Sequence, residues 1–146
     1  MEEAVAPVTG AEIYAFLRGH RLAVISSVSP AASPQAALIG IAVTEALDII
    51  FDTLSTSRKY ANLRADPRVA LVIGWEAEQT VQYEGVAELL SGDALNACKQ
   101  DYFAAWPDGR ERERWADIAY VRVRPRWLRY SDFSSAPPKI EELTLP

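Results

Sequence analysis

One cysteine and one histidine are all that this chain of 146 residues holds of the two best zinc-ligand types. With Cys98 alone, no internal disulfide can form, and a reducing compartment suits the chain. Cys98 and His20 together are too few for a structural zinc site, and a His-dependent catalytic triad would need His20 itself as the base. Positive charge is also in deficit: fifteen Lys and Arg against twenty Asp and Glu give a net charge of −5. That balance argues against a general grip on nucleic acid or on an anionic membrane. No apolar run approaches the roughly 18 residues of a membrane span, and the opening "MEEAVAPVTG" has no basic segment followed by an apolar one. The expectation is a cytoplasmic protein with neither a nucleic-acid nor a membrane partner.

What is present is enough apolar material for one core. At 49% hydrophobic residues, the chain reads as a single domain over 1–146, with 133–146 as an extended, proline-rich tail that wraps or frays. Thr9 can cap a helix from Gly10 to Gly19, and His20 sits at its end as a dipole partner or surface residue. Three strands follow, "RLAVISSVS" (21–29), "PQAALIGIAV" (34–43) and "LDIIFDT" (47–53), a succession that suggests an antiparallel meander. The second is apolar on both faces, as in a central covered strand. A short helix through "YANLRAD" ends at Asp66-Pro67, since the residue before proline is pushed out of the α region. "RVALVIGW" reads as a strand buried on both sides, and "TVQYEGVAELL" (80–90) as one with a single buried face and a bulge or a bend at Gly85. Ser91 can cap a helix whose Leu95, Cys98, Tyr102, Phe103 and Trp106 share one face, with Cys98 a small buried hydrophobe. "DIAYVRVRPRWLRY" (117–130) supplies one or two last strands interrupted at Pro125. The four tryptophans are read as core or dimer-interface residues. Strands in this number, without regular βαβ alternation, predict a mainly β (α+β) domain: a six- to seven-stranded antiparallel split β-barrel with peripheral helices.

The chemistry concentrates in "TLSTSRK", Thr53 to Lys59, where four hydroxyls and two adjacent cations separate a strand from a helix. The bland reading makes Ser55 or Thr56 a helix N-cap and leaves Arg58 and Lys59 solvated. Two cations in a first turn oppose the helix dipole, by about 0.3–1 kcal/mol each, and an anion at the same place reverses that cost. Free backbone N–H groups and hydroxyl donors complete a workable phosphate clamp without a glycine loop.

The pieces "RLAVISSVS", "PQAALIGIAV", "IIFDTLSTSRKYANLRADPRVALVIGW", "TVQYEGVAELL" and "AYVRVRPRWLRYSD" stand in an order that resembles the pyridoxamine 5′-phosphate oxidase-like family of FMN-binding split β-barrels. The resemblance implies a homodimer with two FMN sites at the subunit interface. It puts Arg58 and Lys59 on the FMN phosphate with Ser57 nearby, and Asp52 and Thr53 along the ribityl chain and ring. The backbone of Ala37, Leu38 and Ile39 would pass along the isoalloxazine edge. Thr80 or Gln82, with Trp127 and Arg129, would complete the pocket from the second subunit.

The departures narrow the reaction. Where pyridoxamine phosphate oxidases of this family place an Arg and a Lys on the second strand, this chain has Ala37 and Ala42. Tyr102 matches a substrate-phosphate Tyr, but Trp106 stands where its companion Arg belongs, and no Arg-x-His pair follows "WLRYSDFSS". The expectation is a flavin-dependent oxidoreductase on an unidentified small molecule other than pyridoxamine phosphate. Alternatives are a non-catalytic flavin or haem carrier and a deazaflavin-dependent reductase on the same fold. An interaction protein using the Arg122, Arg124 and Arg126 face is a third; the plainer view of that face is an ion-paired sheet surface meeting the acids of "YEGVAE".

Overall fold

The computed structural model describes residues 9–146; residues 1–8 of the expected domain lie outside the described residues. Helix α1 (Gly10–Arg18) is capped by Thr9, whose side chain accepts from the Glu12 N–H, and it buries Ile13 and Leu17. Strands β1 (Leu22–Val28) and β2 (Pro34–Gly40) form a hairpin, and after Ile41 come β3 (Ala42–Val43) and β4 (Ile49–Leu54). Helix α2 (Arg58–Ala65) leads to β5 (Arg68–Ile73) and the long β6 (Gln79–Leu89). Helices α3 (Gly92–Ala105) and α4 (Gly109–Arg112) precede β7 (Ile118–Asp132) and β8 (Lys139–Thr144).

The strands pair in the order β2-β1-β5-β6-β7-β4-β3, with β8 added on β7, and every pairing is antiparallel. The two ends of that order, β2 and β3, are separated in the chain by Ile41 alone. The sheet must therefore curl until its edges meet, which makes the expected split barrel. Its concave side holds one core around Ile13, Leu17, Ile25, Phe51, Leu71, Tyr83, Val123 and Leu128. A smaller cluster of Ile50, Cys98, Tyr102, Phe103 and Tyr120 lies under α3.

Several expectations change. The second strand is an edge strand rather than a central one, because β2 pairs with β1 only. Its apolar outer residues face away from the core, with Leu38 61% exposed. Strand β5 buries only one face: Val69, Leu71 and Ile73 point inward while Ala70 and Val72 stay exposed. Registers align Leu38, Val24, Val72 and Gln82 across β2, β1, β5 and β6, so both double-sided apolar patterns supply one continuous outer row. Strand β7 is not broken at Pro125, but its pairing is irregular there: Glu84 faces Trp127 and Gly85 faces Pro125, so Arg126 is the extra residue, on β7 and opposite Gly85 rather than at it. A Cβ at Gly85 would lie 2.5 Å from the Arg124 carbonyl, so the close approach there requires glycine. The tail does not fray; its residues 139–144 form β8 on β7. Trp75 and Trp115 are not core residues, being 52% and 53% exposed. The Ser91 hydroxyl makes no capping bond, although α3 does begin after it. Cys98 is buried and unpaired, as expected. No helix among the described residues is long and apolar enough to cross a membrane.

Candidate anion site at the start of helix α2

Strand β4 delivers Thr53 to its buried end, and the next residues turn before α2 begins. The Ser55 N–H is taken by the Asp117 carbonyl and the Ser57 N–H by the Leu54 carbonyl. Those two bonds close the turn through residue 57, so the helix cap moves on from the expected Ser55 or Thr56 to Ser57. Ser57 is extended, and its Oγ accepts from the Tyr60 N–H. Arg58 and Lys59 are then the first two helical residues, with no acid in that turn. Their backbone N–H groups belong to the first turn of α2, where no intrahelical acceptor exists.

Lys59 Nζ donates to Thr53 Oγ1 at 3.1 Å, and Thr53 Oγ1 lies 3.2 Å from Ser57 Oγ. Running that chain from Lys59 through Thr53 to Ser57 leaves the Ser57 hydroxyl proton available to an anion. Burial pushes the Lys59 ammonium below its ordinary range, and the nearby Asp52 carboxylate acts in the opposite direction. Among the described residues neither Arg58 nor Lys59 has an ion-pair partner. Both line a pocket of about 210 Å³ with Ser57, Ala36, Ala37, Gln35, Ser27 and Ile25. The floor is fastened by Asn62, which is 3% exposed and donates to Ser27 Oγ at 3.0 Å and Gln35 Oε1 at 2.9 Å. That fork ties α2 to β1 and β2, so the cations are held against the edge strand. As an edge strand, β2 has one side free of a β-ladder, which leaves backbone donors and acceptors for a ligand edge.

The structure thus gathers Thr53, Ser57, Arg58, Lys59 and Ala37. Asp52 instead faces the α3/α4 side of β4, with its carboxylate paired at 2.7 Å to Arg112 of α4. Leu38 points to the outer face and Ile39 into the core. Thr80, Gln82 and Trp127 line a separate groove of about 350 Å³ on the outer face with Val24, Ala70 and Val72. Arg129 pairs there with Glu142 of β8, which also accepts from the Trp127 indole at 3.4 Å. Within this chain the two groups of expected residues therefore form two distinct surfaces.

Sequence reasoning missed Gln35, Asn62 and Arg112. Asn62 carried a signal, since a polar residue beside Leu63 on the inner side of a short helix calls for buried partners. Arg112 carried none, being hidden in the alternation of Arg110, Glu111, Arg112, Glu113 and Arg114. Arg122 and Arg124 both reach Glu88, the plainer of the two readings of that face. His20 Nδ1 lies 2.8 Å from the Phe16 carbonyl at the end of α1, as a C-terminal dipole partner should.

Trp106 closes the seam between β2 and β3, its indole N–H donating to the Ile41 carbonyl at 2.9 Å. Ala42, at the place of the missing Lys, is 4% exposed and packed in the cluster under α3. Neither residue carries a charge, and the cation nearest Trp106 among the described residues is Arg21, whose guanidinium stacks on the indole.

Comparison with known proteins places this geometry. A pyridoxine/pyridoxamine 5′-phosphate oxidase of Bordetella avium is 32% identical over 124 residues, covering 78% of this chain and 57% of that protein. The chain spans about half the length of the curated relatives it matches. Among solved structures, a haem-binding protein from Mycobacterium smegmatis superposes with a TM-score of 0.81 at 18% identity, over 96% of this chain and 60% of that one. A pyridoxamine 5′-phosphate oxidase-related, FMN-binding protein from Nostoc punctiforme gives 0.70 at 13% identity, over 98% of both chains. These two likenesses, at such low identity, speak for the fold alone. The sequence model described as pyridoxamine 5′-phosphate oxidase matches residues 9–132, from the cap of α1 to the last residue of β7, and the chain belongs to that family.

Proposed function

We propose that this chain is an FMN-binding flavoprotein that acts as an oxidoreductase on a small molecule other than pyridoxamine phosphate. The observation that carries the reading is the convergence of Arg58, Lys59, the Ser57 and Thr53 hydroxyls and the open first turn of α2 on one pocket. A half-buried ammonium with only a hydroxyl as acceptor gains beside a phosphate, where each charge-assisted bond is worth about 1.5–3 kcal/mol. Arg58 and Lys59 would hold the FMN phosphate, Ser57 would donate to it, and the backbone edge of Ala37 would run beside the ring. The flavin supplies the redox chemistry when bound; the protein supplies orientation and field.

The site is completed by a second copy. Leu38, Val24 and Val72 form an outer apolar row, exposed at Leu38 and Val72 and half-buried at Val24, that continues into Gln82 and Arg129. Burying that row removes apolar surface from water at about 25 cal/mol per Å². The second subunit would contribute its copies of Thr80, Gln82, Trp127 and Arg129 to the pocket. A second phosphate-bearing substrate finds Ala42 and Trp106 where its cations would need to be, which supports a substrate of another class.

FMN is favoured over haem by a specific feature. His20 lies away from the clamp, in a pocket with Gly19, Arg21, Leu22, Trp75 and Glu76, and a Cβ at Gly74 would come within 3.1 Å of its Nε2. The test is titration of the purified chain with FMN, a deazaflavin and haem, followed by absorbance, with mass measured by light scattering. Saturable FMN binding at one flavin per chain in a dimer is expected. Haem binding with none for FMN would sink the proposal.

A further inference from the structure

The pocket at the start of α2 has a polar wall beyond its two cations. Register places Ser27 of β1 directly opposite Gln35 of β2, and Ile25 opposite Ala37. All four line that pocket with Ser57, Arg58 and Lys59. Side chains alternate along a strand, so residues 25 and 27 share one face of β1, and 35 and 37 share one face of β2. Both strands turn that face to α2, since Asn62 of the helix reaches the two polar residues at once.

The bonds of Asn62 decide which end of Gln35 stays free. Its amide nitrogen carries two protons, donated to Ser27 Oγ at 3.0 Å and to Gln35 Oε1 at 2.9 Å. Asn62 is 3% exposed, so the packing around it holds the fork in place. Gln35 thus commits its acceptor to the protein and keeps its Nε2 donors. Among the described residues Nε2 has no partner, yet it is not sealed off: the enclosed polar side-chain atoms without one are Thr80 Oγ1 and Tyr120 Oη. The opening that Gln35 lines is the clamp's pocket, where Ala37, the next residue on that face of β2, adds only a methyl. With Arg58, Lys59 and the Ser57 hydroxyl, Nε2 makes a wall of donors, and no carboxylate lines the pocket. Such a wall is self-repelling until an anion stands within it.

Resting on the anion-clamp reading, we infer that Gln35 is a further ligand-binding residue of this site: Asn62 turns its carboxamide so that Nε2 donates to the phosphate held by Arg58 and Lys59.

The test titrates the full chain with FMN and with riboflavin, read by flavin fluorescence. Gln35→Met removes the donor at similar size without adding charge. It is expected to weaken FMN about tenfold, the loss of a hydrogen bond to a charged group, and riboflavin less than about twofold. Gln35→Glu keeps an acceptor for Asn62 but turns a carboxylate oxygen toward the phosphate, and it is expected to weaken FMN about a hundredfold. A Gln35 that only fastens α2 would give equal losses for the two flavins in Gln35→Met and none in Gln35→Glu; that pattern overturns the inference. FMN binding within about threefold of the parent in both variants overturns it too. Should Gln35→Met fail to fold, Gln35→Glu decides alone, and FMN within about threefold of the parent there overturns the inference. A parent chain that binds FMN no more tightly than riboflavin overturns the clamp reading and this inference together, whereas a parent that prefers FMN, with no selective loss in the variants, overturns the inference alone.

Discussion

The Trp106 indole lies across Gly40, so close that a Cβ on Gly40 would sit 2.7 Å from Trp106 Cζ2. The guanidinium of Arg21 stacks on the indole, 3.9 Å from the ring centroid, and donates to the Ala105 carbonyl. The residue that departs from the pyridoxamine phosphate oxidase pattern has therefore been put to structural use. It pins the one place where the two edges of the curled sheet are joined by the chain.

Gly40→Ala should destabilise the fold by about 1–3 kcal/mol, because the new methyl meets a rigid ring and not the end of a flexible side chain. Urea unfolding read by tryptophan fluorescence measures it. A midpoint unchanged from the parent would mean that the indole is free to move off the seam. Trp106→Arg, which restores the family's residue type, should cost at least as much and should not create pyridoxamine phosphate oxidation, since Ala42 remains buried and uncharged.

Replacing both Arg58 and Lys59 with Ala should weaken FMN by about 3 kcal/mol or more, the loss of two charge-assisted contacts. Riboflavin, lacking the phosphate, should change by less than about 0.5 kcal/mol. Isothermal titration with the two flavins compares them directly, and parallel losses would show that the cations serve the helix and not the ligand.

Asn62→Ala removes the fork that joins α2 to β1 and β2 and leaves Ser27, itself 4% exposed, without its donor. A buried group left without its partner costs about 1–3 kcal/mol. Chemical denaturation should show that loss, and hydrogen exchange should quicken in α2 before it does in β5. Uniform quickening across the sheet would instead make Asn62 part of the global core.

Much of this was legible from residue order, for reasons that differ by element. Alternation in "TVQYEGVAELL" and the break at Asp66-Pro67 are local, and the structure follows both. The strand "PQAALIGIAV" was misjudged because an apolar pattern on two faces does not say what covers each face. Here one face packs on the core, and the other, through Leu38, stays largely exposed. The clamp was legible because its hydroxyls and cations are adjacent in the chain. Arg112 was not: its partner Asp52 is 60 residues away, and only the fold of α4 against Tyr102 brings them together.

Tyr120 offers a test in which removing a polar group should help. Its ring is 3% exposed, and its hydroxyl has no hydrogen-bond partner among the described residues. Burial pushes the phenol up to about 12, with the charges of Asp52 and Glu113 acting in the same direction and Arg112 against them. The fold thus holds this phenol neutral, while in the unfolded chain it ionises near pH 10. Between about pH 10 and 12 the unfolded state binds fewer protons than the folded one, so stability falls as pH rises, by about 1.4 kcal/mol per pH unit from this residue. Below pH 10 both states keep the proton, and that term is absent. Tyr120→Phe should therefore be neutral, or stabilising by up to about 1 kcal/mol, at pH 7, where it only discards an unsatisfied hydroxyl. Its advantage over the parent should then widen between pH 10 and 12. Guanidinium melts at pH 7, 10 and 11 measure both effects. A variant less stable than the parent at pH 7 would mean that the hydroxyl does have a partner, and a constant gap across the three pH values would mean that the phenol titrates alike in both states.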